Sequence, residues 1–366
     1  NTTGSNNTAL GYNVLAANST GANNTAVGRN ALDANTTADN NTAVGKSALS
    51  ANTTGASNNA FGKDTLADNT TGSNNTAIGH NALTANTTAN SNTAVGYRAM
   101  TANTTGPANT ALGFQALDAN TTAGNCTGLG YNALGTNTTG GENTAVGSEA
   151  LANNLAGNYN TAVGQNCLTD NTTASNNTAI GFNALHGNTT GINNIAMGSY
   201  ALDANTTGHY NVALGVLSLT AATTADGNTA VGYGALTANT TGANNTGIGR
   251  EALAATTTGG DNVAVGNHAL DAATTASHNT ALGGAALGAL TTGTQNTALG
   301  RTAGDSITTG NYNLCVGYNT DTGAVGSDRR FVIGQDFVGT TNNAVHIGAS
   351  GGHVRNDFLD DATWDH

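Results

Sequence analysis

The pattern in this chain that could most directly do chemistry is a recurring Asn-Thr-Thr triplet. Its asparagine amide, with a hydroxyl two residues on, forms an acceptor sequon for N-linked sugars. Asn35, Asn52, Asn69, Asn86, Asn103, Asn120, Asn137, Asn171, Asn188, Asn205 and Asn239 each begin such a triplet, and Asn18 begins Asn-Ser-Thr. A second set, including Asn6, Asn23, Asn40 and Asn74, reads Asn-Asn-Thr. Glycans on the first set would line one edge of whatever element repeats it. The competing reading is that Asn and Thr are simply good turn and ladder residues. In later copies the asparagine becomes Ala222, Thr256, Ala273, Leu290 and Ile307 while both threonines persist, so the fold does not require the sequon.

Other chemistry is sparse. The eight histidines (His80, His186, His209, His268, His278, His346, His353 and His366) show no metal-ligand spacing, and read as surface polar residues. Asp33, Asp118, Asp203 and Asp271 share one phase of the repeat but lie several copies apart, too far for a carboxylate pair or a calcium site. Cys126, Cys167 and Cys315 occupy three different phases, which is no disulfide framework; they read as small buried substitutes. Gly-rich stretches never lead into Gly-Lys-Ser or Gly-Lys-Thr, so no phosphate loop is expected. The expectation is a chain without catalytic residues, metal or cofactor.

What positions these residues is a glycine that recurs at every seventeenth position, from Gly11, Gly28 and Gly45 through Gly300, Gly317 and Gly334, without insertion or deletion. The residue before it is always apolar (Leu10, Val27, Phe61, Ile78), and the one before that is nearly always Ala. Four residues after it stands Leu, as at Leu15, Leu32 and Leu49, with Met100 the one substitute up to Leu287. Such a unit is too short for a helical repeat pair, which needs roughly 33 residues or more. Asn, Thr and Gly are poor helix formers, whereas Thr-Ala-Val followed by Gly suits a short strand ending in a bend. The expected fold is therefore all-β: a parallel β-solenoid or β-roll of about 20 coils, one per 17-residue repeat, stacked ~4.8 Å apart into a rod ~95 Å long. Identical residues fall in ladders, and the asparagine four before the glycine (Asn7, Asn24, Asn41) is placed to satisfy backbone groups at a corner.

Adjacent strand residues face opposite ways, so both the Ala row and the Val, Ile or Leu row next to it are apolar. One can line the coil. The expectation is that the bulky row and the Leu row do so, and that the Ala row meets other copies of the chain in a homotrimer, small residues permitting close approach. Composition agrees with a fibre: 51 Gly, 1 Pro, 8% charged and 4% aromatic residues among 366. A net charge of −12 makes nucleic acid or an anionic membrane an improbable partner, and no apolar run is long enough for membrane insertion. The opening Asn1-Thr2-Thr3-Gly4 matches the middle of a unit, so further coils or an attachment region are expected upstream. Two adjacent threonines in a strand would point to opposite faces, which leaves an ice-binding solenoid as a minor alternative.

After Gly317 the Ala and Leu ladders end, and Asp328-Arg329-Arg330-Phe331-Val332-Ile333-Gly334 brings charge and an aromatic together. Residues 1–317 are read as the repeat shaft and 318–366 as a C-terminal cap, since a solenoid needs its open end covered. The Asn-Thr-Ala-Val-Gly-x-x-Ala-Leu units, as in Asn24 to Leu32, resemble those of long bacteriophage tail fibres and related bacterial repeat proteins that carry an endosialidase-type intramolecular chaperone. The stretch from His346 to His366 is similar to the segment preceding that chaperone. The units also resemble, at a shorter period, the trimeric β-rolls of bacterial autotransporter heads. The tail-fibre resemblance implies a trimer folded with the help of the chaperone, which then cuts itself off before a Ser-Asp pair. His366 stands about where that cut would leave a processed C-terminus. The resulting expectation is a non-enzymatic fibre shaft in a virion tail or extracellular structure, spacing or presenting the recognition of a host-surface glycan or receptor. A bacterial surface adhesin or glycosylated extracellular fibre is the alternative.

Overall fold

The computed structural model describes residues 2–349 and, as backbone, 352–357. The chain forms two compact units, Asn1–Thr190 and Gly191–His366. Each is a parallel β-solenoid, and together they carry about 20 coils with a 17-residue repeat.

In the first unit, strands β1 (Thr8–Leu10) and β2 (Thr25–Val27) pair in parallel, with Thr8 against Thr25, Ala9 against Ala26 and Leu10 against Val27. This register repeats through β10 (Thr161–Val163) and β11 (Thr178–Ile180), each strand pairing with the same phase of the next repeat. The second unit begins with β12 (Ile195–Met197) and β13 (Val212–Leu214) and continues the pattern to β19 (Leu314–Val316). Only the three strand residues of each coil are extended. The remainder is turns whose backbone groups also bond from coil to coil, as in Leu15 N–H to Ala31 O (3.1 Å), Ser19 N–H to Thr36 O (2.9 Å) and Asn30 N–H to Tyr12 O (2.9 Å).

The strand residues face opposite to the expected way. Ala26, Ala43, Ala77, Ala94 and Ala111 have no exposed surface, whereas the bulky row beside them looks outward, with Leu112 51% and Ile78 42% exposed. Strand alternation defines two faces without saying which is inside. The width of the coil decides it: its interior takes one Leu per turn, such as Leu32 or Leu49, against two alanines, such as Ala26 and Ala31. A second branched side chain per turn would overfill that space. Ala is therefore the internal spacer, and the row before the glycine is the one offered to the surroundings.

Turning so tightly forces left-handed backbone at non-glycine residues. Asn23, Asn30 and Leu32 have φ of 57, 57 and 52°. Asn tolerates this region, but for Leu it costs about 1–2 kcal/mol. Complete burial of the Leu side chain returns about 1.5–3 kcal/mol, enough to hold the turn. The periodic glycine has no such option. Its φ lies between 122 and 143° from Gly11 to Gly317, and a Cβ on Gly113 would sit 2.3 Å from the carbonyl oxygen of Gly130 in the adjacent coil.

The repeat changes at its C-terminal end. Strand β20 (Arg330–Gln335) still pairs with β19 at the regular spacing, Phe331 against Leu314. The step to β21 (Ala344–Ala349) is shorter, with Phe331 against Val345. Strand β22 (Gly352–Asp357) then runs antiparallel to β21, ending the parallel order. Arg330 replaces the corner asparagine: it is buried, its backbone N–H continues the ladder to Asn313 Oδ1 (3.1 Å), and its guanidinium donates to Thr322 O, Gly339 O and Asn342 Oδ1. His366 and the terminal segment 358–366 lie outside the described residues.

Gly113→Ala is expected to destabilise the unit by at least ~2–3 kcal/mol, because strained φ and a backbone clash coincide. Gly106→Ala also brings a Cβ against the next coil, at Ala123 O, but its φ lies outside the left-handed region and Ala38, Ala89 and Ala123 occupy that phase in other coils, so it is expected to be milder. Urea denaturation midpoints of the two variants check this; equal losses would show that the left-handed backbone at the periodic glycine adds nothing to the cost.

Candidate functional site: the asparagine ladders and the outward rows

The twelve sequon asparagines come together, but inside the coil. Asn18 is 2% exposed and the other eleven, Asn35, Asn52, Asn69, Asn86, Asn103, Asn120, Asn137, Asn171, Asn188, Asn205 and Asn239, are fully buried. Within the first unit their amides form a continuous chain of side-chain hydrogen bonds along the stack. Asn35 Nδ2 donates to Asn18 Oδ1 (2.8 Å), Asn52 to Asn35 (3.1 Å), Asn69 to Asn52 (2.8 Å) and so on to Asn188 and Asn171 (3.1 Å). Asn154, which begins no sequon, takes its place in the same chain, donating to Asn137 Oδ1 at 2.8 Å. The Nδ2 atoms also donate to the carbonyl three residues ahead, as Asn52 does to Gly55 O (2.9 Å). In the folded coil the amide nitrogen that a glycan would need is thus doubly engaged and enclosed. The first threonine of the triplet is used similarly: Thr36 Oγ1 donates to Thr53 O (3.1 Å) and Thr53 Oγ1 to Thr70 O (3.0 Å).

A second buried ladder is made by the corner asparagines. Asn24 Oδ1 accepts from Asn41 N–H (2.9 Å), while Asn24 Nδ2 donates to Ala38 O (2.8 Å). Side chains thereby satisfy carbonyls that the tight turns leave inside, where an unpaired polar group costs about 1–3 kcal/mol. Where the first ladder is interrupted the cost is visible. Asn239 Oδ1 and the Thr256 hydroxyl next along the row are buried without hydrogen-bond partners.

The three cysteines are buried and unpaired, in agreement with their reading as small substitutes. Cys126 takes a corner-asparagine position, and its Sγ lies 3.3 Å from Gly140 O, standing in for the amide donor. Cys167 and Cys315 replace inward alanines. Burial pushes the thiols of Cys167 and Cys315 up to about 12, and that of Cys126 in the same direction. Among the described residues no group of three or more His, Cys, Asp or Glu could hold a metal ion. Asp118 pairs with Arg98 (3.1 Å) and Asp271 with His268 (3.0 Å), while burial, then Asp321 and Asp271, raise the carboxyl of Asp305.

Two outward rows were not assembled by reading the sequence. The first is the apolar row before the glycine, exposed at Leu10, Phe61, Ile78, Leu112, Leu282 and Leu299. The second is the row just after the glycine, where Tyr97, Phe114 and Tyr131 of consecutive coils stack with ring centroids 5.3 and 5.5 Å apart and planes 20 and 10° from parallel. The regular spacing of these rings, one per repeat, was the available signal. Stacked on one another, they turn their edges to solvent rather than the faces on which a sugar would pack. No helix among the described residues is long and apolar enough to cross a membrane. No protein-family model and no curated protein matches the chain.

Two outcomes follow from the ladders and thiols. Asn103→Ala, which removes a donor from Asn86 Oδ1, should cost ~1–3 kcal/mol, whereas Thr256→Asn, which supplies one to Asn239 Oδ1, should gain ~0.5–1.5 kcal/mol; urea midpoints measure both. The raised thiols imply stability that is complete below the unfolded-thiol value near pH 8.5–9 and is lost as pH climbs toward about 12, by ~1.4 kcal/mol per pH unit for each thiol. Replacing Cys167 and Cys315 by the Ala of other coils should flatten that alkaline decline between about pH 8 and 10.5, and an unchanged slope would contradict it.

Proposed function

We propose that this chain is a structural shaft of a homotrimeric fibre whose copies associate through the outward apolar row, in a phage tail fibre that spaces or presents host recognition. The observation that carries this reading is the uninterrupted apolar row of the sheet face, one large side chain in every coil from Leu10 to Ile333. Eleven strands ~4.8 Å apart and ~10 Å long make a face of ~500 Å² in each unit. An apolar strip of this size lies in the range of ~300–600 Å² that often marks an association surface. The inward ladders satisfy each coil along its own axis and leave that face available for other chains.

Trimer number, virion or extracellular location and presentation of a glycan or receptor site rest on the likeness of the repeats to tail fibres. The edge-on aromatic stack argues that recognition lies elsewhere than on these rings. A bacterial surface fibre would use the same shaft, and proteomics of purified virions against protease shaving of cells distinguishes the two.

Sedimentation equilibrium should give three times the chain mass. Val44→Lys combined with Val95→Lys and Leu112→Lys should shift the chain to a monomer whose β circular dichroism is retained. A wild-type chain that stays a stable folded monomer would sink the reading.

A further inference from the structure

The asparagines that the fold buries are not the only sequons in the repeat. Five residues before the glycine the chain makes a left-handed turn, and at Asn23, Asn40, Asn74, Asn125, Asn176 and Asn244 the turn residue is an asparagine with φ between 57 and 62°. Asn6 belongs to the same row in the first coil, with φ of 59°. Each of the six is followed two residues on by a threonine, Thr25, Thr42, Thr76, Thr127, Thr178 or Thr246, that starts a strand. The turn conformation favours Asn for its own reasons. Its consequence is chemical, because all these asparagines are exposed and their threonines lie on the outward strand face, half-buried. The bonds that two of the amides make, Asn6 Nδ2 to Asn23 Oδ1 and Asn244 Nδ2 to Asp261 Oδ1, are long at 3.2 Å and open to solvent. In six coils the same sequon chemistry therefore occurs twice, once sealed inside and once displayed.

We propose that the folded chain is an acceptor for N-linked sugar at this turn row, Asn23, Asn40, Asn74, Asn125, Asn176 and Asn244, and not at the buried Asn-Thr-Thr row. In the transfer, the amide Nδ2 forms a bond to the anomeric carbon of a nucleotide-activated hexose, the nucleoside diphosphate leaves with the bonding electrons, and the amide proton passes to a base of the transferase. The fold supplies what the reaction needs from the acceptor: an amide in solvent and a neighbouring hydroxyl on the same surface. This proposal does not rest on the fibre reading, although its threonines share the outward strand face with the apolar row.

The test incubates the native chain with a soluble Asn-x-Thr glucosyltransferase and UDP-glucose, followed by intact mass and peptide mapping with electron-transfer fragmentation. Hexose is expected on the turn-row asparagines and on none of Asn35, Asn52, Asn69 or Asn86. The same treatment of urea-unfolded chain should add hexose to both rows. Asn40→Asp should remove one hexose from the maximum load of the native chain while leaving its circular dichroism unchanged. Absence of hexose from the turn row of the native chain overturns the proposal, whatever the unfolded chain takes up, and so does hexose on the buried row of the native chain.

Discussion

The constraint on which the structure depends is the direct stacking of one narrow coil on the next. A backbone that closes each short turn around one Leu and two Ala has almost no interior, so backbone of adjacent coils meets backbone. At the periodic glycine that contact leaves no room for a side chain: a Cβ there would lie 2.2–2.8 Å from the next coil's carbonyl oxygen between Gly11 and Gly164. The period is strict because the contact is identical in every coil, and a single insertion would misalign the glycine, the alanines and both ladders at once. Stability of such a stack is a sum of nearest-neighbour terms, so regularity in sequence is regularity in energy.

The same narrowness explains a polar interior. Tight turns leave carbonyls pointing inward where water cannot follow, and an amide is the side chain that can donate to one carbonyl while passing a hydrogen bond along the axis. Asn52, donating both to Asn35 Oδ1 and to Gly55 O, shows the two tasks in one group. Cys126, with its sulfur directed at Gly140 O, shows how a different donor can fill the place. The ladder also sets what the surface can be. Because polar residues are consumed inside and bulk is excluded from the interior, the large apolar residues of the strand are left on the outside, an inversion of the usual globular arrangement. That inversion is the physical basis of the association proposed above.

Much of the architecture was legible in the sequence. The strict glycine period, the phase of Thr-Ala-Val and the dominance of Asn, Thr and Gly determined a parallel solenoid, its register, and the stacking of identical residues. The corner asparagines were recognisable as a ladder, and the cysteines as buried substitutes, from their phase alone. The orientation of the strand was not legible, since Ala and Val are both apolar and alternation is symmetric between faces. Nor was the fate of the sequons: Asn35 and Asn23 belong to equally good Asn-x-Thr triplets, and only the path of the turns puts one inside and the other in solvent. The left-handed Leu, from Leu15 to Leu287 with Met100 the one substitute, was equally hidden, because propensity argues against it and only burial outweighs the cost. Sequence thus determined which residues lie above one another; tertiary structure alone decided which of them face inward, because that choice is made by the volume a closed coil leaves inside.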